Sequence, residues 1–88
     1  NPLSLTSGSS TVTVTEPGHG RSTNDTVVFR NVDGSPGGLV YSLFENGSGF
    51  SITVIDTNSY SFDCGSNATV TENSGGMFVT AGPVTLTP

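Results

Sequence analysis

The chain contains a single histidine, His19, which stands between Gly18 and Gly20 and precedes a polar loop. A catalytic histidine needs a nucleophile or an orienting carboxylate, and a metal-binding histidine needs at least two further ligands. Glu16 and Asp25 are the only acidic candidates near it in the sequence. We therefore interpret His19 as part of a structural turn: the flanking glycines permit a sharp bend, and the imidazole packs against or hydrogen-bonds to the loop that ends at Asp25.

Three carboxylates, Asp56, Asp63 and Glu72, form with the amide of Asn58 a candidate calcium site, because calcium prefers six or more oxygen ligands. Their spacing matches neither an EF-hand nor a D-x-D-x-D-G loop. We expect these side chains to cap turns and to be solvated, with Asp56 and Asn58 in one structural turn. The sequence therefore predicts no metal and no cofactor.

Nucleophilic catalysis is not indicated. Serines occur throughout the chain, so a Ser-His-Asp combination arises by chance, and no G-x-S-x-G motif precedes a helix. The single cysteine, Cys64, ends an apolar run without a neighbouring cation that would make its thiol reactive, and we expect it to be a small core residue. We predict that the protein is not an enzyme.

Charge and composition exclude several classes of protein. The net charge is -5 and the only cations are Arg21 and Arg30, which argues against binding of nucleic acid or of an anionic membrane surface. No apolar run approaches the roughly 20 residues that cross a bilayer, and one cysteine allows neither an intrachain disulfide nor a zinc cluster. We expect residues 1–88 to form one domain, either a separate processed protein or part of a longer chain, since the first residue is Asn1.

Short alternating runs predict the strands that position these residues. Thr11–Glu16 alternates threonine with valine, Thr26–Val32 is rich in β-branched residues, and Phe50–Ile55 and Ser59–Cys64 flank a turn at Asp56-Thr57-Asn58. The last two runs predict a β-hairpin with an apolar face.

We also expect an extended Leu39–Phe44 and short strands at Val70, Met77–Val79 and Val84–Leu86. No segment has helical apolar spacing, so we predict an all-β fold, a small antiparallel β-barrel or sandwich of about six to seven short strands.

Three stretches carry a family resemblance: G-S-S-T-V-T-V-T at residues 8–15, H-G-x-S-T-x-D-x-V at 19–27, and F-S-I-T-V-I-D-T-N-S-Y-S-F at 50–62. Together they resemble a small β-barrel module of tailed-bacteriophage virion proteins, similar to the first catalytic cysteine half-domain insert of ubiquitin-activating enzymes. The family usually has glycine where this chain has Asn24, and asparagine is the other residue that readily adopts positive φ. The resemblance implies no thioester chemistry at Cys64, because that β-module is a structural accessory.

The resemblance implies a structural or interaction module of a virion assembled in the bacterial host cytoplasm. We expect it to pack on head or tail subunits, in a symmetric assembly with other virion proteins, through exposed strand edges. The first strand, with Val12 and Val14, and the last, from Val84 to Leu86, are the candidate edges. The aromatic residues are candidates either for the core or for a docking strip: Tyr41, Phe44, Tyr60 and Phe78.

A second class of function stays open. The glycine-rich loops at residues 33–38 and 45–49, on a rigid scaffold, are typical places for recognition. They favour a carbohydrate- or receptor-binding module of a tail fibre, whose partner would be a host surface glycan, or an adhesin of a bacterial surface.

Overall fold

Residues 1–86 are described by the computed structural model, in which they form ten short strands and two 3-10 turns, at Pro36–Gly38 and Tyr41–Leu43. The strands are β1 (Leu3–Leu5), β2 (Thr11–Thr15), β3 (Thr26–Val27), β4 (Phe29–Arg30), β5 (Phe50–Ser51), β6 (Thr53–Asp56), β7 (Ser59–Asp63), β8 (Glu72–Ser74), β9 (Thr80–Ala81) and β10 (Val84–Thr85). No helix within these residues is long and apolar enough to cross a bilayer.

The strands form three antiparallel sheets. The largest has the order β6-β7-β2-β1-β8, a second has the order β10-β9-β4, and β3 pairs with β5. The sheets pack in a sandwich-like arrangement and do not close into a barrel. The predicted all-β antiparallel fold is therefore confirmed, and of the two predicted architectures the structure has the sandwich and not the β-barrel that the resemblance implied.

Strand alternation builds the core. Val12 and Val14 of β2 lie opposite Phe62 and Tyr60 of β7, and all four side chains are buried. The rings of Phe50 and Phe62 stack with centroids 4.4 Å apart. The predicted hairpin is present, with Thr57 and Asn58 between β6 and β7.

The described residues contain more strands than the six or seven predicted because two predicted strands change partners and because β1 was not predicted. Val27 pairs with Phe50 in one sheet, whereas Phe29 pairs with Ala81 in another, so the predicted strand 26–32 is divided at Val28. The first arm of the hairpin is divided at Ile52 for the same reason. Such changes of sheet are how a sandwich turns its corners.

Other strand predictions were wrong in position. The segment predicted to be extended at 39–44 contains a 3-10 turn, and its closing residue Phe44 donates its N–H to Tyr41 O. Strand β8 lies at 72–74 rather than at Val70, and β9 begins at Thr80, after the predicted strand 77–79. The N-terminal strand β1, Leu3–Leu5, was not predicted.

Four predicted interface residues are in the core instead. Val12, Val14, Phe44 and Leu86 are at most 1% exposed. Strand β2 lies between β7 and β1, so both of its edges are already paired. The first-strand edge was therefore a wrong prediction, whereas β10 does lie at the edge of its sheet.

Candidate functional site

Residues 18–25, called here the edge loop, lie along the outer edge of β6. Asn24 donates its N–H to Ile52 O at 2.8 Å, and Ile52 donates its N–H to Asp25 O at 3.0 Å. The hydroxyl Oγ1 of Thr23 accepts the N–H of Val54 at 3.0 Å. Because β6 is the terminal strand of the five-stranded sheet, the edge loop occupies the place of a neighbouring strand.

Both ring nitrogens of His19 make hydrogen bonds, one within the edge loop and one to the hairpin. Nδ1 accepts the backbone N–H of Arg21 at 2.8 Å, and Nε2 lies 2.7 Å from the carbonyl oxygen of Asp56. Since Nδ1 accepts, Nε2–H is the donor to the carbonyl oxygen of Asp56. The ring also meets Tyr60 edge-on, with centroids 5.2 Å apart. His19 therefore connects the edge loop to the hairpin and has no nitrogen left for catalysis or a metal ion.

A buried polar cluster lies behind His19. The carboxylate Oε1 of Glu16, which is 5% exposed, accepts Arg21 Nε–H at 3.0 Å and the Tyr60 hydroxyl at 2.7 Å. Arg21 Nη2 also donates to Ala81 O at 2.9 Å. The guanidinium lies 5.7 Å from the centre of the Tyr60 ring. The cluster joins the edge loop to two sheets.

Burial and electrostatics set the protonation of this cluster. Burial raises the pKa of Tyr60, and its hydrogen bond to the Glu16 carboxylate raises it further. Burial by itself lowers the pKa of Arg21, but the hydrogen bond to Glu16 and the nearby charges outweigh it, so the pKa of Arg21 is raised. Arg21 therefore stays charged and Tyr60 stays neutral at physiological pH. This cluster was not predicted from the sequence. Its only local signal was the pair of charged residues, Glu16 and Arg21, on either side of His19.

The hairpin end is fixed by its own side chains. Asp56 Oδ1 accepts the N–H of Asn58 at 2.8 Å and the hydroxyl of Ser59 at 2.9 Å. These two hydrogen bonds, the first more than the second, lower the pKa of the Asp56 carboxyl. Asn58 Oδ1 accepts the N–H of Gly18 at 3.1 Å.

Three further residues shape the edge loop. Asn24 adopts a φ of 77°, the left-handed conformation that was expected to be accessible to asparagine at this position. Asp25 Oδ2 accepts the N–H of Ser22 at 2.9 Å. Gly20, with a φ of 62°, lies in the same left-handed region. The residues assigned to structural turns thus lie in the edge loop and in the hairpin turn that it contacts.

A surface depression of about 480 Å³ opens where the edge loop meets the hairpin end. It is formed by segments other than the glycine-rich loops expected to carry recognition. The residues that line it are Gly18, His19, Gly20, Arg21, Val54, Asp56 and Thr57.

The remaining candidates for chemistry lie apart: Asp63 is the last residue of β7 and Glu72 is the first residue of β8. Asp63 Oδ1 accepts the N–H of Gly65 at 2.8 Å, and Glu72 Oε2 accepts the N–H of Gly37 at 2.8 Å. Among residues 1–86, no three histidine, cysteine or acidic side chains come together as metal ligands. Cys64 is buried, and its Sγ lies 3.2 Å from Ser66 O.

Three exposed apolar side chains lie in or next to the C-terminal hairpin of β9 and β10, whereas the other large exposed apolar residues within residues 1–86 lie elsewhere: Val40, Tyr41, Ile55 and Val70. Met77, Phe78 and Val84 are 67%, 73% and 44% exposed, and they are called here the C-terminal face. Tyr41 is also exposed, on the second 3-10 turn. Phe78 is therefore an exposed aromatic residue, whereas Phe44 and Tyr60 belong to the core.

No family model, curated protein or solved structure matches this chain.

Proposed function

We propose that the chain is a non-enzymatic structural module of a tailed-phage virion, and that it packs against neighbouring subunits through the C-terminal face. The observation that carries the proposal is the exposure of Phe78, with Met77 beside it, in a chain that buries its other phenylalanines wholly or in part. An exposed aromatic residue beside a methionine is typical of the anchor of a protein interface.

Charge supports the same surface. No charged residue follows Glu72 in the sequence, although the whole chain carries a net charge of -5. Interface cores are depleted of charged side chains, because each charge would have to be desolvated on binding. None of the three side chains of the C-terminal face is charged, although the N-terminal ammonium donates to Gly76 O beside Met77 and Arg30 of β4 lies opposite Thr80 of β9.

Strand β10 adds a directional element to this face. It is an edge strand, and both of its residues, Val84 and Thr85, are exposed. The unpaired backbone groups of an edge strand can hydrogen-bond to a strand of a neighbouring subunit. If every copy of the module made the same strand pairing with its neighbouring subunit, the result would be a symmetric assembly with other virion proteins.

The engagement of both His19 nitrogens supports a non-catalytic role, and the resemblance supports a virion location after assembly in the host cytoplasm. The acidic charge argues against nucleic acid and anionic membranes as partners.

Incorporation into particles tests the proposal. We expect Phe78→Ser to reduce the copies of this chain per purified particle at least about tenfold, the ratio that corresponds to the loss of about 1.4 kcal/mol of binding free energy. Ile55→Ser is the matched control, because Ile55 is 55% exposed but lies on β6. Quantitative mass spectrometry of particles measures the copies, and thermal melting checks that both variants fold. Equal incorporation of the two folded variants would contradict the proposal.

A second candidate function is a glycan- or receptor-binding module of a tail fibre or bacterial surface adhesin. The depression beside His19 favours it, because its volume of about 480 Å³ lies within the range of small-molecule sites.

A further inference from the structure

The depression beside His19 has walls that are fixed before any ligand binds. His19 is held by hydrogen bonds at both nitrogens, and Arg21 is held by Glu16 and by the carbonyl of Ala81. Asp56 is held by two hydrogen bonds within its own turn. A ligand would therefore not have to order these side chains, and preorganisation of this kind lowers the cost of binding.

The lining of the depression is mostly apolar, and three of the residues in it carry a polar atom with capacity for a further hydrogen bond. Arg21 Nη1 and Asp56 Oδ2 make no hydrogen bond to the described residues, and neither does the hydroxyl of Thr57. These groups are a donor, an acceptor and one that is both. Val54, which is half-buried, adds an apolar surface to the same depression. A ligand that carries hydroxyl groups on a ring with apolar C–H faces would match both these polar atoms and the apolar surface of Val54.

Charge restricts the ligand further. Glu16 already neutralises Arg21 through their 3.0 Å ion pair, and Asp56 adds a negative charge at the rim. A carboxylate or sulfate on the ligand would therefore be repelled at Asp56 without an unpaired cation to bind. The protein's net charge of -5 acts in the same direction.

We propose that the depression binds a neutral saccharide of one or two rings, with sugar hydroxyls between the Arg21 guanidinium and the Asp56 carboxylate and a ring face on Val54. The proposal rests on the second candidate function and is independent of the C-terminal face. The two can therefore fail separately, since a saccharide site needs no contact at Phe78.

Amide NMR titration tests the proposal with named probes: glucose, galactose, mannose, N-acetylglucosamine, maltose and lactose, each up to about 10 mM. We expect saturable shifts for at least one of them at residues 18–21 and 54–57. Thr57→Trp fills the depression and should weaken that binding at least about tenfold. Ser66→Trp, at an exposed turn outside the depression, is the control and should leave the affinity unchanged.

Glucuronic acid is the anionic counterpart of glucose in the same titration. We expect it to bind more weakly than its neutral counterpart. The proposal is overturned if none of the neutral sugars gives saturable shifts at these residues, if glucuronic acid binds more tightly than glucose, or if Thr57→Trp and Ser66→Trp bind equally well. The incorporation of Phe78→Ser into particles tests the C-terminal face separately, and its outcome does not depend on the results of these titrations.

Discussion

At the scale of single residues, Glu16 connects the parts of the site. Its carboxylate accepts from both Arg21 and Tyr60, and nine-tenths or more of the residue is buried. Burial of a charged pair costs desolvation energy, so hydrogen bonds at both partners are needed to make it tolerable. The hydroxyl of Tyr60 supplies one of them. The cluster therefore holds the edge loop in a single position against the hairpin.

Tyr60→Phe removes the hydroxyl that donates to Glu16. We expect the free energy of unfolding at neutral pH to fall by about 1–3 kcal/mol, the usual contribution of a hydrogen bond to a charged group. Because burial and Glu16 raise the folded-state pKa of Tyr60, the folded protein keeps this proton at a pH where the unfolded chain has lost it. The contribution of Tyr60 is thus complete below about pH 10 and is lost as the pH rises through the folded-state pKa.

Urea unfolding from pH 7 to 12 measures this dependence. The native protein should lose stability above about pH 10 more steeply than Tyr60→Phe does. Tyr41→Phe is the control, because Tyr41 is exposed and its hydroxyl makes no hydrogen bond within residues 1–86. Parallel curves for the native protein and Tyr60→Phe would refute the argument.

At the scale of elements, the edge loop protects β6. An uncovered edge strand pairs readily with other chains, and native proteins cover such edges. Here the cover consists of backbone hydrogen bonds at Ile52 and of the side chains of Thr23 and His19. The loop can follow the strand because Asn24 adopts a positive φ.

Thr23→Ala tests this cover. The substitution removes the acceptor of the Val54 N–H, and loss of about 1 kcal/mol there should raise the hydrogen exchange rate of that amide about fivefold. Thr57→Ala is the matched control, because the Thr57 hydroxyl makes no hydrogen bond in the described part of the chain. Native-state hydrogen exchange by NMR measures both variants. An unchanged Val54 amide in Thr23→Ala would show that the hydroxyl does not protect the edge.

How far the sequence predicts each element depends on how local its determinants are. The alternation in β2 and β7 is a local pattern, so both strands and the hairpin were predicted from it. The divisions at Val28 and Ile52 depend on which distant strands pair with each half, and no local pattern records that. The residues of the site are also brought together by distant pairing. Glu16 and Tyr60 are 44 positions apart, so the local sequence does not show that they meet.

At the scale of the whole molecule, we propose that the protein uses two separate surfaces. The depression at the His19 end is bordered by side chains that hydrogen bonds hold in place, whereas the C-terminal face presents three exposed apolar side chains. The buried polar cluster links these ends, since Arg21 donates to Ala81 of β9. A small sandwich of this kind can pack on a neighbour through one surface and leave the other accessible.

Cryo-electron microscopy of the native assembly that contains this chain tests the central claim most directly. We predict that a neighbouring subunit covers Met77, Phe78 and Val84 at every symmetry-equivalent position of a virion. The account is contradicted if these three side chains face solvent while the module projects alone from the particle.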